Sequence, residues 1–211
     1  MSQYRPIVIA TTITVLLAYG MHLYAADQST ITSDDLDRVY SAIKQNNWRL
    51  VEKEVTPLIQ RQSPAQRYII GRLRYIYIFS LAIQTESGHL KYADLKKKLA
   101  IVEKRLVIQP WHPVSQNANP CFNQICADKD NPSLLVTTQA NSNSTQIYSF
   151  ENFDMGAPIN IASFKGQNAR LGGILDKIEI NENLPKAERS NSHVTWFFRL
   201  YAKDSFIDYE R

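Results

Sequence analysis

The chain has 211 residues, with 24 Lys and Arg against 20 Asp and Glu, a formal net charge of +4, seven glycines and two cysteines. So few glycines argue against an active site built from glycine-rich loops. Neither a phosphate-cradling Gly-rich loop nor a G-x-S-x-G nucleophile setting occurs.

Arg5 is followed by no charged residue until Asp27, and the interval is apolar at Ile7–Ala10, Ile13, Val15–Tyr19 and Leu23–Ala26. One positive residue, an apolar run and then small residues form a segment read by a secretion machinery. Cleavage after Gly20 or Ala25 would make residues 1–26 a signal peptide. Left in place, residues 7–26 supply about the 20 residues needed to cross a bilayer as an anchor. Either route predicts an exported, periplasmic protein, soluble or tethered to the inner membrane. About 185 residues remain, enough for one medium domain or two small ones.

Residues 27–112 carry 14 basic and 9 acidic side chains, whereas residues 113–211 carry 9 and 11. That shift coincides with a change of texture at Pro110–Pro113, so we expect a helical-hairpin domain over 27–112 and an antiparallel β domain over 113–211. Thr32-Ser33-Asp34-Asp35 resembles a capping box, with acids at the positive end of a helix carrying Leu36, Val39, Tyr40 and Ile43. After Asn46-Asn47, the stripe Trp48, Val51, Val55, Leu58 and Ile59 predicts a second helix, kinked or ended at Pro57. Ser63-Pro64-Ala65-Gln66 starts a third, to about Thr85. The stripe Tyr92, Leu95, Leu99, Val102 and Leu106 predicts a fourth, stopped by Pro110. Short connections make these about four helices antiparallel neighbours. Residues 33–64 have roughly the length of one tetratricopeptide unit, but Glu52 stands near a position needing a small residue and no second copy follows.

The third helix is apolar or aromatic on every side from Tyr75 to Ile83 except at Ser80, so it is either wrapped by neighbours or short of a partner. Tyr68, Tyr75 and Phe79, with Arg72 between them, are candidates for an exposed groove. Arg67, Arg72, Arg74, Lys91, Lys96, Lys97, Lys98, Lys104 and Arg105 make this half basic. Such a surface suits an acidic partner or, with a retained anchor, an anionic membrane; export argues against nucleic acid.

Beyond Pro113, Leu134–Gln139 and Thr145–Phe150 read as a hairpin about a polar turn. Ile159, Ile161 and Ser163 alternate with Asn160, Ala162 and Phe164 as a third strand. Gly172-Gly173 precedes a fourth over Ile174–Asn181. Strict alternation over His193–Lys203 predicts the last, with Val194, Trp196, Phe198, Leu200 and Ala202 on one face. Phe197, Arg199, Tyr201 and Lys203 share the other, a candidate platform for a ring-bearing or anionic ligand.

Cys121 and Cys126 predict a disulfide stapling the junction between helices and sheet. A redox pair, or a metal site with His112 and Asp128, lacks the usual spacings. Asp176, Glu179 and Glu182 alternate as a solvated face would, and Asn143-Ser144-Thr145 matches a glycosylation acceptor. We therefore expect an α+β envelope protein with no catalytic residues, cofactor or metal, acting through contact with another envelope protein. Two rivals stand beside this. One is a module binding a small or lipidic ligand between helices and sheet, in a cavity lined by Tyr75, Phe79 or Phe197. The other is a hydrolase without local motif, with His112 or His193 near a carboxylate and a hydroxyl.

Overall fold

A computed structural model describes residues 30–116, 121–140, 147–181 and 198–210. The leader, the turn bearing Asn143, and Glu182, His193, Val194, Trp196 and Phe197 lie outside these residues.

Helix α1 (Ser33–Lys44) starts on the expected capping box: Asp35 N donates to Thr32 Oγ1 at 3.2 Å, and Thr32 N to Asp35 Oδ2 at 3.0 Å. Asn46, in the left-handed region at φ 53°, reverses the chain, and the Asn47 side chain caps α2 (Trp48–Ile59). Pro57 lies inside α2, which closes two residues later. A 3₁₀ turn at Pro64–Gln66 leads into α3 (Arg67–Glu86), which packs against α2, against the first strand and against α4 (Tyr92–Leu99).

The fourth helix is shorter than its apolar stripe. It ends at Leu99, Val102 lies in a turn, and Leu106 opens strand β1 (Leu106–Ile108). Leu95, Leu99 and Val102 still reach one core. The turn takes over because Lys104, at φ 58°, redirects the chain and its N–H donates to Leu175 O at 2.7 Å. A stripe of helical spacing records which residues reach the core, and the last of them does so from extended backbone.

Among the described residues the sheet has seven strands. After β1 come β2 (His112–Pro113), β3 (Ile125–Ala127), β4 (Leu134–Ala140), β5 (Ile147–Asp154), β6 (Asn168–Ile180) and β7 (Phe198–Tyr209). Their order is β1-β6-β7-β5-β4-β3, with β2 also on β6. An entirely antiparallel sheet was the expectation, but β5 and β7 pair in parallel, so the sheet is mixed. β7 inserts between two strands that run opposite ways and must be parallel to one of them. Alternation along a strand reports its faces and says nothing of its neighbours' direction.

Two further expectations change. Ile159–Phe164 forms no strand: Ile161–Phe164 is a 3₁₀ turn, and Ile159, Ile161 and Phe164 reach the core at uneven steps. Gly172-Gly173 does not precede a strand but lies within β6. A Cβ at Gly173 would stand 3.0 Å from Lys203 O, and one at Gly172 would enter the Phe206 ring. The glycines permit close approach of β7, and the pairing with β7 shifts register there.

Phe198, Leu200 and Leu175 turn inward to meet Val39, Val51, Leu58, Leu73, Ile78, Leu81, Leu95 and Leu99, forming one core between helices and sheet. A second cluster joins Val114, Ile125, Leu135, Phe153, Leu171 and Ala202. Cys121 and Cys126 are disulfide-bonded. The bridge lies on β3, five places along the sheet from β1, and not at the helix junction where it was expected. Its cysteines are held by β4, since Cys126 pairs with Val136 and Thr138 N donates to Cys121 O at 3.0 Å.

Candidate functional site

Where the helices meet the β1 edge, they leave an apolar pocket of about 280 Å³. Tyr40 and Ile43 of α1, Trp48 of α2, and Arg72, Tyr75, Ile76 and Phe79 of α3 line it, with Ile108 and Pro110 closing the sheet side. The helical spacing of 72, 75, 76 and 79 explains the α3 wall, since residues three and four apart share a face. The Tyr75 and Phe79 rings stack with centroids 5.0 Å apart, and Tyr148 meets Phe79 edge-on at 6.3 Å. Arg72 is exposed at this wall, and among the described residues no carboxylate pairs with it.

Behind the aromatic wall is a buried polar network. The Tyr75 hydroxyl donates to Glu151 Oε1 at 2.6 Å, and Ser149 Oγ donates to the same oxygen at 2.8 Å. With its amide oriented so that nitrogen faces the acceptors, Gln109 donates to Glu151 Oε2 at 3.0 Å and Thr137 Oγ1 at 3.3 Å, while its amide oxygen accepts from Leu171 N. Gln139 also hydrogen-bonds Glu151, and its Nε2 lies 2.8 Å from His112 Nε2. Glu151 is only 1% exposed, so its charged form loses hydration, and burial pushes its carboxyl up to about 7 despite the surrounding donors. Burial likewise lowers His112 to about 4, while burial and the Glu151 charge hold the Tyr75 hydroxyl well above its ordinary range. His112 is thus neutral at pH 7 and accepts from Gln139.

The candidate residues divide among three places. Arg72, Tyr75 and Phe79 meet in the pocket. Tyr68 stays on α3 outside it, exposed, with its ring edge-on to Phe206 at 5.8 Å and the Arg67 guanidinium 5.0 Å from its centroid. Arg199 and Tyr201 alternate with Phe198 and Leu200 and therefore project from the sheet face away from the helices. Arg199 lies 5.6 Å over Phe150, and the Tyr201 hydroxyl donates to Glu179 Oε2 at 3.1 Å. Phe197 falls outside the described residues.

Glu151, Gln109 and Gln139 were not singled out from the sequence. A signal existed in β5, where Glu151 shares the inward parity of Ser149 and Phe153. Among the described residues the His112 ring meets the Gln139 amide at 2.8 Å and the Asn123 backbone. Asp176 contacts Lys104 at 2.5 Å and Lys203 at 2.8 Å, and these ammonium groups hold its carboxyl down at about 2; Glu179 pairs with Lys177 at 2.5 Å. Among the described residues no helix is long and apolar enough to cross a membrane, and no group of three His, Cys, Asp or Glu side chains could hold a metal.

These observations define an α+β protein whose helices and mixed sheet enclose an apolar pocket backed by a buried carboxyl. No protein-family model matches the chain, and neither a curated protein nor a solved structure matches it.

Proposed function

We propose that this is a non-enzymatic binding protein of the cell envelope, and that its pocket takes the apolar part of a small or lipidic ligand with an anionic group. Export rests on the leader sequence and suits a disulfide-bonded protein. The observation that carries the ligand reading is the concave apolar site itself, walled by three helices and β1, with an unpaired guanidinium at its wall. About 280 Å³ lies near the lower end of small-molecule sites, roughly 300–1,000 Å³. It fits one short acyl chain or one ring system, and Arg72 would meet the headgroup. Contact with another envelope protein is the second reading, supported by exposed Tyr40 at the pocket lining and exposed Tyr68 on α3 outside it.

The test is displacement of a fluorescent fatty acid from the purified protein, with native mass spectrometry for co-purifying ligand. Saturable binding is expected, weakened at least ~tenfold by Ile76→Trp, which fills the pocket. Arg72→Gln is expected to weaken a carboxylate ligand more than the corresponding alcohol. No saturable binding, or binding indifferent to Ile76→Trp, overturns the reading.

A further inference from the structure

A second cavity, of about 330 Å³, lies where the end of α2 faces the turn after α4. Its lining has the opposite character, with Arg61, Arg74 and Arg105 against a single acid, Glu103, and the Gln60 and Gln62 amides. We propose that this cavity is a binding site for a small oxyanion, a phosphate group either free or carried on a lipid headgroup.

Three features carry this. Arg74 is fixed in place: its NH1 donates to Leu106 O at 3.1 Å and its NH2 to Ile59 O at 3.4 Å, both neutral carbonyls. Its guanidinium therefore has a set direction and no compensating carboxylate. Arg105 is close enough that its charge, after burial, is the second influence weakening Arg74's hold on its proton. Like charges brought together at a half-buried position repel, and a bound anion reverses the sign of that term. Finally, the nearby acids do not neutralise the pair. Asp35 is engaged by Arg61 at 2.9 Å and Arg38 at 2.5 Å, and no ion pair joins Glu103 to Arg74 or Arg105. Guanidinium forks match the oxygens of a phosphate and bind it by charge-assisted hydrogen bonds. Capping of α2 and β1 accounts for Arg74 but leaves the placement of Arg105 opposite it unexplained.

The full chain is titrated calorimetrically with inorganic phosphate at low ionic strength, and separately sedimented with phosphatidylglycerol or phosphatidylcholine vesicles. Arg105→Gln is the probe because Arg105 is exposed and its side chain makes no hydrogen bond or ion pair among the described residues; its unliganded melting temperature should match the wild type. Saturable phosphate binding weakened at least ~tenfold in Arg105→Gln, and strengthened in Glu103→Gln, supports a site for free phosphate. Retention on phosphatidylglycerol but not phosphatidylcholine vesicles, lost in Arg105→Gln, supports the headgroup. Absence of both, or an Arg105→Gln variant that binds like wild type, overturns the proposal.

Discussion

The Tyr75 hydroxyl lies 2.6 Å from Glu151 Oε1, so a side chain of the pocket wall is anchored from behind by a carboxyl buried in the sheet. Tyr75→Phe keeps the ring and removes the anchor. A lost hydrogen bond to a buried, charge-bearing group costs about 1.5–3 kcal/mol. Urea unfolding at pH 8 should register that loss, with Phe79 stacking retained; a variant as stable as wild type would show the bond to be idle.

The same network predicts an unusual pH response. Glu151 is raised from 4.5 to about 7, so its contribution to stability is complete below pH 4.5 and is lost as pH rises through about 7. His112 is lowered from 6.5 to about 4, so its contribution is complete above pH 6.5 and is lost as pH falls through about 4. Between pH 4.5 and 6.5 the two slopes oppose each other. Glu151→Gln should therefore expose stability that rises with pH across this window, by up to ~1.4 kcal/mol per unit. His112→Asn should expose stability that falls. Denaturation midpoints for the three proteins at pH 5 and 6.5 provide the check, and parallel profiles would contradict the assigned burial.

The Cys121–Cys126 bridge closes a short loop at the β3 edge. Chain entropy assigns such a closure roughly 2 kcal/mol. Thermal melts with and without reductant should differ accordingly, with a Cys121→Ser, Cys126→Ser double variant matching the reduced protein. Pocket binding should be unaffected, because the bridge is held by β3 and β4, neither of which lines the pocket.

Gly173→Ala tests the close approach of β7. The new Cβ would stand 2.5 Å from Ser205 Oγ and 3.0 Å from Lys203 O. The serine can rotate, but the backbone carbonyl cannot move without disturbing the ladder, so a loss of about 1–3 kcal/mol is expected. A chemical denaturation curve indistinguishable from wild type would mean that β7 yields freely.

Much of the helical half was legible because each stripe and cap acts locally. Thr32 with Asp35, and Pro64 at a helix start, sit in the structure where their short-range chemistry places them. The α4 stripe misled because spacing reports burial: Val102 is buried in a turn, its N–H donating to Leu99 O at 3.0 Å, and Leu106 is half-buried in a strand. The Tyr75–Phe79 wall was visible in the three- and four-residue steps of α3. Glu151 was not, since its partners Tyr75, Gln109 and Gln139 come from separate segments. The direction of the β5–β7 pair was equally hidden, since it depends on which gap β7 fills.

That placement has a consequence for how the chain assembles. β1, β2 and β6 form one hydrogen-bonded block against the helices, and the β3–β4–β5 meander forms another; β7 supplies the long ladder between them, beside a single short bridge where Ser115 N donates to Ile125 O at 2.9 Å. Synthesis therefore delivers the connecting strand after both blocks, and Leu135 and Phe153 of the meander wait for Ala202 to complete their cluster. Closing the sheet is a late, non-local event of the kind that slows folding, and until then two unsatisfied strand edges stand open to foreign partners.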